Sequence, residues 1–222
     1  MTVLLIVLDM DDTLYLEQDY VRSGFQSVDA WLVADCDTNG FFERAWHYFL
    51  SGRRNDIFNQ VLRDFNLEDD KRVLKMVEVY RTHEPDIQLL PDARSFLMNH
   101  ASTELAIISD GHSVSQWAKV RSLQLVERVG TIIITNDWGR EYWKPHPRAF
   151  ETVQQGYSPG NCVYIADNPL KDFIAPATLG WMPSVRVRRT GSLHGDIPTP
   201  ESCIEVRTLD EAATLFYKGL TH

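Results

Sequence analysis

Short apolar runs that end in polar residues are the feature that most constrains how this 222-residue chain can fold. The first run spans residues 3–8 and is followed at once by acidic residues. An unbroken apolar run of this length, rich in β-branched residues, predicts a strand that is buried on both faces of a parallel sheet. Further runs predict strands at Leu105–Ile108, Thr131–Thr135, Cys162–Ala166 and Val185–Val187, with a short final strand at Ile204–Val206.

Segments with helical periodicity lie between these predicted strands. This alternation predicts an α/β fold with a doubly wound, mostly parallel, Rossmann-like sheet and helices on both of its faces. The Gly-, Pro- and Ser-rich segment Arg188–Cys203 is predicted to cross the surface as a loop. Helices are predicted at Asp92–Asn99, Ser113–Leu125, Pro147–Gln155, Lys171–Leu179 and Leu209–Tyr217.

The interval from Glu17 to Asp86 interrupts the alternation, because it contains no good strand. Its apolar spacing indicates helices instead. We therefore expect two domains: an α/β core of residues 1–15 plus 88–222, and an all-helical cap domain of residues 16–87 inserted over the carboxyl edge of the sheet. The helices of this cap are predicted at Tyr20–Val33, Gly40–Leu50, Asp56–Phe65 and Asp69–Arg81.

Charge and composition narrow the classes of partner. The formal net charge is −9, which argues against nucleic acid or an anionic membrane as the main partner. The three cysteines are too few and too scattered for a disulfide framework or a CxxC metal site. The apolar start lacks the features of a signal peptide, and no apolar stretch approaches bilayer length. We expect a cytoplasmic protein, either a monomer or a homodimer, that binds no membrane.

Polar residues that could carry chemistry follow four of the predicted strands. In an open parallel sheet the ligand site lies outside the carboxyl ends of the strands, so these residues should meet at one edge. They are Asp9, Asp11, Asp12, Thr13, Ser109, Asp110, Gly111, Lys144, Asp167, Asn168 and Asp172.

The chemistry of this set predicts a magnesium and phosphate site. Grouped acids repel one another unless a cation lies among them. Carboxylates and carbonyls without His or Cys suit Mg²⁺, which commonly takes one or two carboxylates and a substrate phosphate. Lysine and hydroxyl groups add the positive charge and the donors that a phosphate needs. Phosphate binding is accordingly predicted for Thr13, Ser109, Asp110, Gly111 and Lys144.

The spacing of Asp9 and Asp11 predicts two different roles. An Asp9 carboxylate at the strand end can attack phosphorus and form an aspartyl phosphate. Asp11, two residues on, projects to the same side and can protonate the leaving oxygen, then deprotonate the water that breaks the intermediate. We take Asp9, Asp11 and Lys144 as the catalytic residues.

Four segments resemble the motifs of the haloacid dehalogenase superfamily of aspartate-nucleophile phosphohydrolases, in the expected order. They are LDMDDTLY (residues 8–15), IISDG (107–111), the Lys144–Pro145 pair and YIADNPLKDF (164–173). The resemblance implies Mg²⁺ held by Asp9, the Asp11 carbonyl and Asp167, with Asp172 in or near the metal shell. The founding dehalogenases lack an acid at the second position of the first motif, which Asp11 occupies here. The presence of Asp11 therefore favours phosphoryl transfer over halide displacement. One departure is Ala166, where the family often has Gly.

The sequence therefore predicts a Mg²⁺-dependent phosphatase that hydrolyses a small phosphorylated metabolite, of sugar phosphate or nucleotide type, through an aspartyl phosphate. Two alternatives stay open: a phosphomutase or phosphotransferase acting on sugar phosphates, and a catalytically idle relative that serves as a binding module. The aromatic segment Asp137–Trp143 has two interpretations as well, as loop packing or as a stacking wall for a substrate ring.

Overall fold

A six-stranded sheet in which every neighbouring pair is parallel organises the α/β part of the chain. The computed structural model describes residues 4–100 and 104–217. The strands are β1 (Leu5–Leu8), β2 (Glu104–Ser109), β3 (Thr131–Ile134), β4 (Cys162–Ala166), β5 (Val185–Val187) and β6 (Ile204–Val206). Their order in the sheet is β3-β2-β1-β4-β5-β6. The predicted α/β class with its parallel, Rossmann-like sheet is confirmed, while the predicted strand start at Val3 lies outside the described residues.

Strand β1 lies in the middle of the sheet because all four of its residues are apolar and buried. It pairs with β2 on one side and with β4 on the other. The ladder continues one residue past the strand, since the Asp9 N–H donates to the Ile165 carbonyl at 2.9 Å. The ends of β1, β2 and β4 therefore lie side by side, and the residues that follow them share one edge.

Both faces of the central strands are covered. Alternate side chains of a strand point to opposite faces, so Val7 and Ile108 share a face with Phe150 and Trp181 in one apolar cluster. Ile6 and Leu8 point to the opposite face and are equally buried. Such two-sided burial explains why these strands read as continuous apolar runs.

The helices are α1 (Glu17–Cys36), α2 (Phe41–Leu50), α3 (Ile57–Asp64), α4 (Asp70–Thr82), α5 (Pro91–Asn99), α6 (Ser113–Ser122), α7 (Arg148–Val153), α8 (Ile174–Thr178) and α9 (Leu209–Tyr217). Among these helices, which cover only residues 4–100 and 104–217, none has both the length and the apolar character needed to cross a bilayer.

Several helix ends differ from the prediction because of local hydrogen bonds or backbone conformation. Helix α1 begins at Glu17, three residues early, because the Asp12 carboxylate accepts a hydrogen bond from the Glu17 N–H at 2.8 Å. Helix α6 ends early, since Gln124 adopts a left-handed backbone conformation with φ of 54°. Helix α8 starts at Ile174, because Asp172 instead accepts from the Asn168 N–H at 3.0 Å in the turn before it.

The chain divides into two compact units, Asp19–Ile87 and the remainder. The unit Asp19–Ile87 is helical and is packed around aromatic side chains. The ring of Phe25 lies 5.9 to 6.3 Å, centroid to centroid, from the rings of Phe41, Phe49, Phe58 and Tyr80. These separations are typical of edge-to-face and tilted aromatic pairs, so Phe25 is the centre of this small core.

We expect Phe25→Ala to lower the free energy of unfolding by about 3–5 kcal/mol, because it removes the ring that the other aromatic side chains surround. Leu74→Ala is the control in the same unit, since Leu74 is 70% exposed and its loss should cost less than about 0.5 kcal/mol. Urea unfolding measured by circular dichroism checks both values. Equal effects of the two substitutions would contradict the assignment of Phe25 to the core.

Candidate active site

Lys144 is the buried centre of the candidate site. Its ammonium lies 2.7 Å from Asp9 Oδ1 and 2.8 Å from Asp172 Oδ1, and it donates a 3.0 Å hydrogen bond to the Tyr164 hydroxyl. The side chains of Lys144 and Asp172 are fully buried. The sheet thus brings the ends of β1 and β4, and the loop after β3, to a single point.

Three carboxylates surround this point closely enough to share a cation. Oxygens of Asp9, Asp167 and Asp172 lie within 4.8 Å of one another, and all three residues are buried. The side chain of Asp11 is not part of this group. Because the group offers only oxygen ligands, it suits a hard divalent cation such as Mg²⁺ rather than zinc.

Burial and mutual repulsion perturb the acids of this group unequally. Burial raises the pKa of Asp9 to about 7, although the Lys144 ammonium opposes the shift. Burial, reinforced by the charges of Asp9 and Asp172, raises the pKa of Asp167 to about 9. Within the described residues no lysine or arginine forms a salt bridge with Asp167. Asp167 is therefore the carboxylate that most needs a cation.

Two hydroxyl groups at the site have no hydrogen-bond partner. Thr13 Oγ1 and Ser109 Oγ are buried, and neither is bonded to another group within residues 4–100 and 104–217. An unpaired buried hydroxyl costs free energy unless a ligand satisfies it. Ser109 is the last residue of β2, and Thr13 lies in the turn after β1, close in sequence to Asp9, so the ligand these hydroxyls suit is an oxyanion held at that edge of the sheet.

Asp110 makes its contacts within the protein. Its carboxylate accepts hydrogen bonds from the Thr135 hydroxyl at 2.7 Å and the Lys144 N–H at 3.1 Å, and it pairs with the Lys171 ammonium at 2.7 Å. Although burial raises the pKa of Asp110, the charges of Lys144 and Lys171 hold it below its usual value. Asp110 thus ties Lys144 and Lys171 to the end of β2.

Asp11 is held by residues that the sequence analysis did not single out. Its Oδ1 pairs with the Lys119 ammonium at 2.7 Å and accepts from the Tyr15 hydroxyl, and its Oδ2 accepts from Gln116 Nε2 at 3.0 Å. Although burial raises the pKa of Asp11, Lys119 and these hydrogen bonds hold it below its usual value. These contacts favour the ionised form of Asp11 when no substrate is bound.

The segment Arg188–Cys203 does more than cross the surface. The Leu193 N–H donates to Asp12 Oδ2 at 2.7 Å, and the Ser192 hydroxyl donates to Asp167 Oδ2 at 3.3 Å. Arg189 is buried, where it donates to the Thr13 carbonyl at 2.8 Å. This loop therefore forms one side of the candidate site.

The aromatic segment packs on itself and on α7. The guanidinium of Arg148 lies between the rings of Trp138 and Tyr142, at 4.6 and 4.4 Å from their centroids. The Trp143 indole donates to Asn136 Oδ1 at 3.1 Å. These contacts agree with the packing interpretation of the segment.

A helix contributed site residues that the sequence analysis missed. Gln116 and Lys119 both lie on α6 and are buried. The sequence did contain a signal for them. Gln116 and Lys119 are three positions apart on a predicted helix next to a motif, so they share one face of that helix, and such residues are rarely buried without a partner. Lys171 lies within the fourth motif, residues 164–173, but the sequence predicted no role for it.

Comparison with known proteins identifies the family of this chain. The family model for haloacid dehalogenase-like hydrolases matches residues 3–180, and the chain belongs to that family. The glyceraldehyde 3-phosphate phosphatase of Methanopyrus kandleri is 26% identical over 199 residues, which cover 83% of each chain.

Solved structures share the fold at lower sequence identity. The HAD-hydrolase YfnB from Bacillus subtilis, solved bound to magnesium, is 19% identical with a TM-score of 0.67, over 97% of this chain and 99% of that one. A 2-haloacid dehalogenase from Pseudomonas syringae pv. Tomato is also 19% identical with a TM-score of 0.65, over 98% and 99%. These likenesses show the shared fold alone, so the chemistry of this chain has to be argued from its site.

Asp167→Asn should stabilise the metal-free protein near pH 8 by on the order of 1–3 kcal/mol. A carboxyl whose pKa is raised by folding, here from 3.8 to about 9, weakens the fold progressively as pH rises through that window. The gain should therefore shrink toward zero near pH 4. Urea unfolding in EDTA at both pH values measures it.

The matched control for this prediction is Asp210→Asn. Asp210 is an exposed aspartate at the start of α9, so its substitution should change stability little at either pH. A loss of stability in Asp167→Asn near pH 8, or a gain that does not depend on pH, would contradict the prediction.

Proposed function

We propose that this protein is a Mg²⁺-dependent phosphatase that hydrolyses a small phosphorylated metabolite through an aspartyl phosphate on Asp9. The observation that carries the proposal is the combination of the three-carboxylate group around Asp9 with two unpartnered buried hydroxyls, Thr13 and Ser109. The carboxylates by themselves indicate only a cation, and the hydroxyls by themselves could bind many kinds of ligand. The two features together suit a phosphate that is bound next to a metal ion.

Mg²⁺ would be held by Asp9, Asp167 and Asp172, with the main-chain carbonyl of Asp11 as a further ligand. The residues fit this ion because all the donors are oxygens and because Asp167 forms no salt bridge within the described part of the chain. When bound, Mg²⁺ screens the phosphate oxygens from the Asp9 carboxylate, which an anion attacking a dianion requires.

Asp9 carries out the first step. Its carboxylate oxygen attacks phosphorus, a new O–P bond forms, and the bond from phosphorus to the ester oxygen breaks. Lys144 holds Asp9 at 2.7 Å and supplies a permanent positive charge near the phosphate. The hydroxyls of Thr13 and Ser109 donate hydrogen bonds to its oxygens.

Asp11 moves the protons. It gives a proton to the departing ester oxygen, then takes one from the water that attacks the aspartyl phosphate. The second attack breaks the Asp9–phosphate bond and releases inorganic phosphate, and Asp11 ends in its starting protonation state. A bound phosphate dianion raises the pKa of Asp11 by like-charge repulsion, which favours the protonated form for the first step.

Phosphate-ester hydrolysis is the better supported chemistry within the family. Asp11 gives the site an acid–base group, and a leaving alcohol needs such a group whereas a leaving halide does not. The 26% identical phosphatase from Methanopyrus kandleri supports the same direction. We further propose that the substrate is of sugar phosphate or nucleotide type.

Asp9→Asn should lower the hydrolysis of p-nitrophenyl phosphate by at least about 10³-fold, because an amide cannot form the aspartyl phosphate. The wild-type protein should need Mg²⁺ and lose activity in EDTA. Asp210→Asn, an exposed aspartate far along the chain, serves as control and should keep full activity. Undiminished turnover by Asp9→Asn would refute the assigned nucleophile, and no turnover by the wild type on a broad panel of phosphate esters would favour a binding role.

Product analysis separates the phosphatase from the phosphomutase alternative. With a hexose 1-phosphate as substrate we expect free phosphate and free sugar in equal amounts, because water takes the phosphoryl group from Asp9. Formation of the 6-phosphate isomer, detected by phosphorus NMR, would support the mutase instead.

A further inference from the structure

A group of three side chains, called here the Asp11 clamp, holds the proposed proton-transfer residue. It consists of Lys119 and Gln116 from α6 and Tyr15 from the first motif. Together they supply both oxygens of the Asp11 carboxylate with donors. A carboxylate bonded on both oxygens is fixed in orientation, whereas a carboxylate bonded on one can rotate.

The position of the clamp on α6 follows from helical spacing. Residues three apart lie on the same face of a helix, so Gln116 and Lys119 point together toward Asp11. Both are buried, and the Lys119 side chain is only 5% exposed. A buried ammonium is costly unless a carboxylate pairs with it, and Asp11 lies 2.7 Å away.

Gly111 makes room for the clamp. It has a φ of 128°, a conformation that favours glycine, and a Cβ at this position would collide with the Gln116 side chain. Gln116 Nε2 also donates to the Asp110 carbonyl, so it joins the second motif to Asp11. The main chain of the second motif thus leaves space for the side chain of Gln116, and the same side chain donates a hydrogen bond to Asp11.

The clamp leaves part of the Asp11 side chain accessible. That side chain is 17% exposed, whereas that of Asp9 is 7% exposed and that of Asp172 is fully buried. A fixed and partly accessible carboxylate is suited to meeting the ester oxygen of a substrate. A difference of about 1 Å in that position is enough to slow a proton transfer strongly.

We propose that Lys119 is a positioning residue for proton transfer by Asp11, assisted by Gln116 and Tyr15. This inference rests on the proposed phosphatase activity. It predicts that loss of the clamp slows hydrolysis most for the substrates whose leaving group most needs a proton. An alkoxide leaves poorly without one, whereas p-nitrophenolate is a stable anion and leaves without help.

The test compares kcat/KM of Lys119→Met on p-nitrophenyl, phenyl and benzyl phosphate, because kcat/KM reports the step that expels the leaving group. We expect a modest decrease with p-nitrophenyl phosphate and a decrease of about 10²-fold with benzyl phosphate. Lys119→Arg keeps a charged donor and should recover much of the loss. Lys71→Met, which changes an exposed lysine of the helical unit, should leave the ratio between the substrates unchanged.

A double variant distinguishes positioning from a general structural effect. In the Asp11→Asn background, Lys119→Met should cause no further leaving-group discrimination, because the residue it positions is gone. An equal decrease on all three substrates, or full additivity of the two substitutions, would overturn the proposal. Lys119→Met also removes a charge that lowers the pKa of Asp11, so Gln116→Leu, which removes one donor without changing the charge, is subjected to the same comparison. Gln116→Leu takes the place of Lys119→Met if the latter fails to fold by circular dichroism.

Failure of this inference can be distinguished from failure of the proposed function. Wild-type hydrolysis of p-nitrophenyl phosphate and its loss in Asp9→Asn establish the phosphatase. Failure of both would refute the function, whereas a functional phosphatase with uniform effects of Lys119→Met would refute only the role of the Asp11 clamp.

Discussion

Ion pairs between lysines and carboxylates are the interaction on which the rest of the site depends. Lys144 pairs with Asp9 and Asp172, and Lys119 pairs with Asp11; both lysines are buried, whereas Lys171, which pairs with Asp110, is half-buried. Because loss of one partner of a buried ion pair is strongly destabilising, these contacts hold the ends of three strands and one helix relative to one another. The parallel sheet places the acids at one edge, and the lysines allow them to stay there.

The fold was predictable to the extent that burial controls it. Strand β4 has the bounds predicted for it, because a run that is buried on both faces ends where polar residues begin. The predicted bounds were wrong where a distant side chain decides them. Thr135 leaves β3 for a 3₁₀ turn, in which its hydroxyl donates to Asp110, and α1 begins early because Asp12 caps Glu17. Such bonds join residues that no periodic pattern relates.

The same distinction holds for the candidate site. Asp9, Ser109 and Asp167 could be predicted to meet, because parallel strands must end at a common edge. Lys119 and Ser192 were not predicted. The spacing of Gln116 and Lys119 indicates that they share one face of α6, but it does not specify which acid that face meets, and the irregular loop of Ser192 has no periodic pattern. The three-dimensional structure is therefore needed to pair these residues with the acids that they position.

The charge balance connects these observations to the proposed metal. Five aspartates (Asp9, Asp11, Asp110, Asp167 and Asp172) meet three lysines, which leaves an excess of two negative charges. Burial raises the pKa of Asp9 to about 7 and that of Asp167 to about 9, so without a metal protons on these two acids can supply the missing charge. A single divalent cation supplies it equally. Both acids belong to the three-carboxylate group, so the excess is located where Mg²⁺ is proposed to bind.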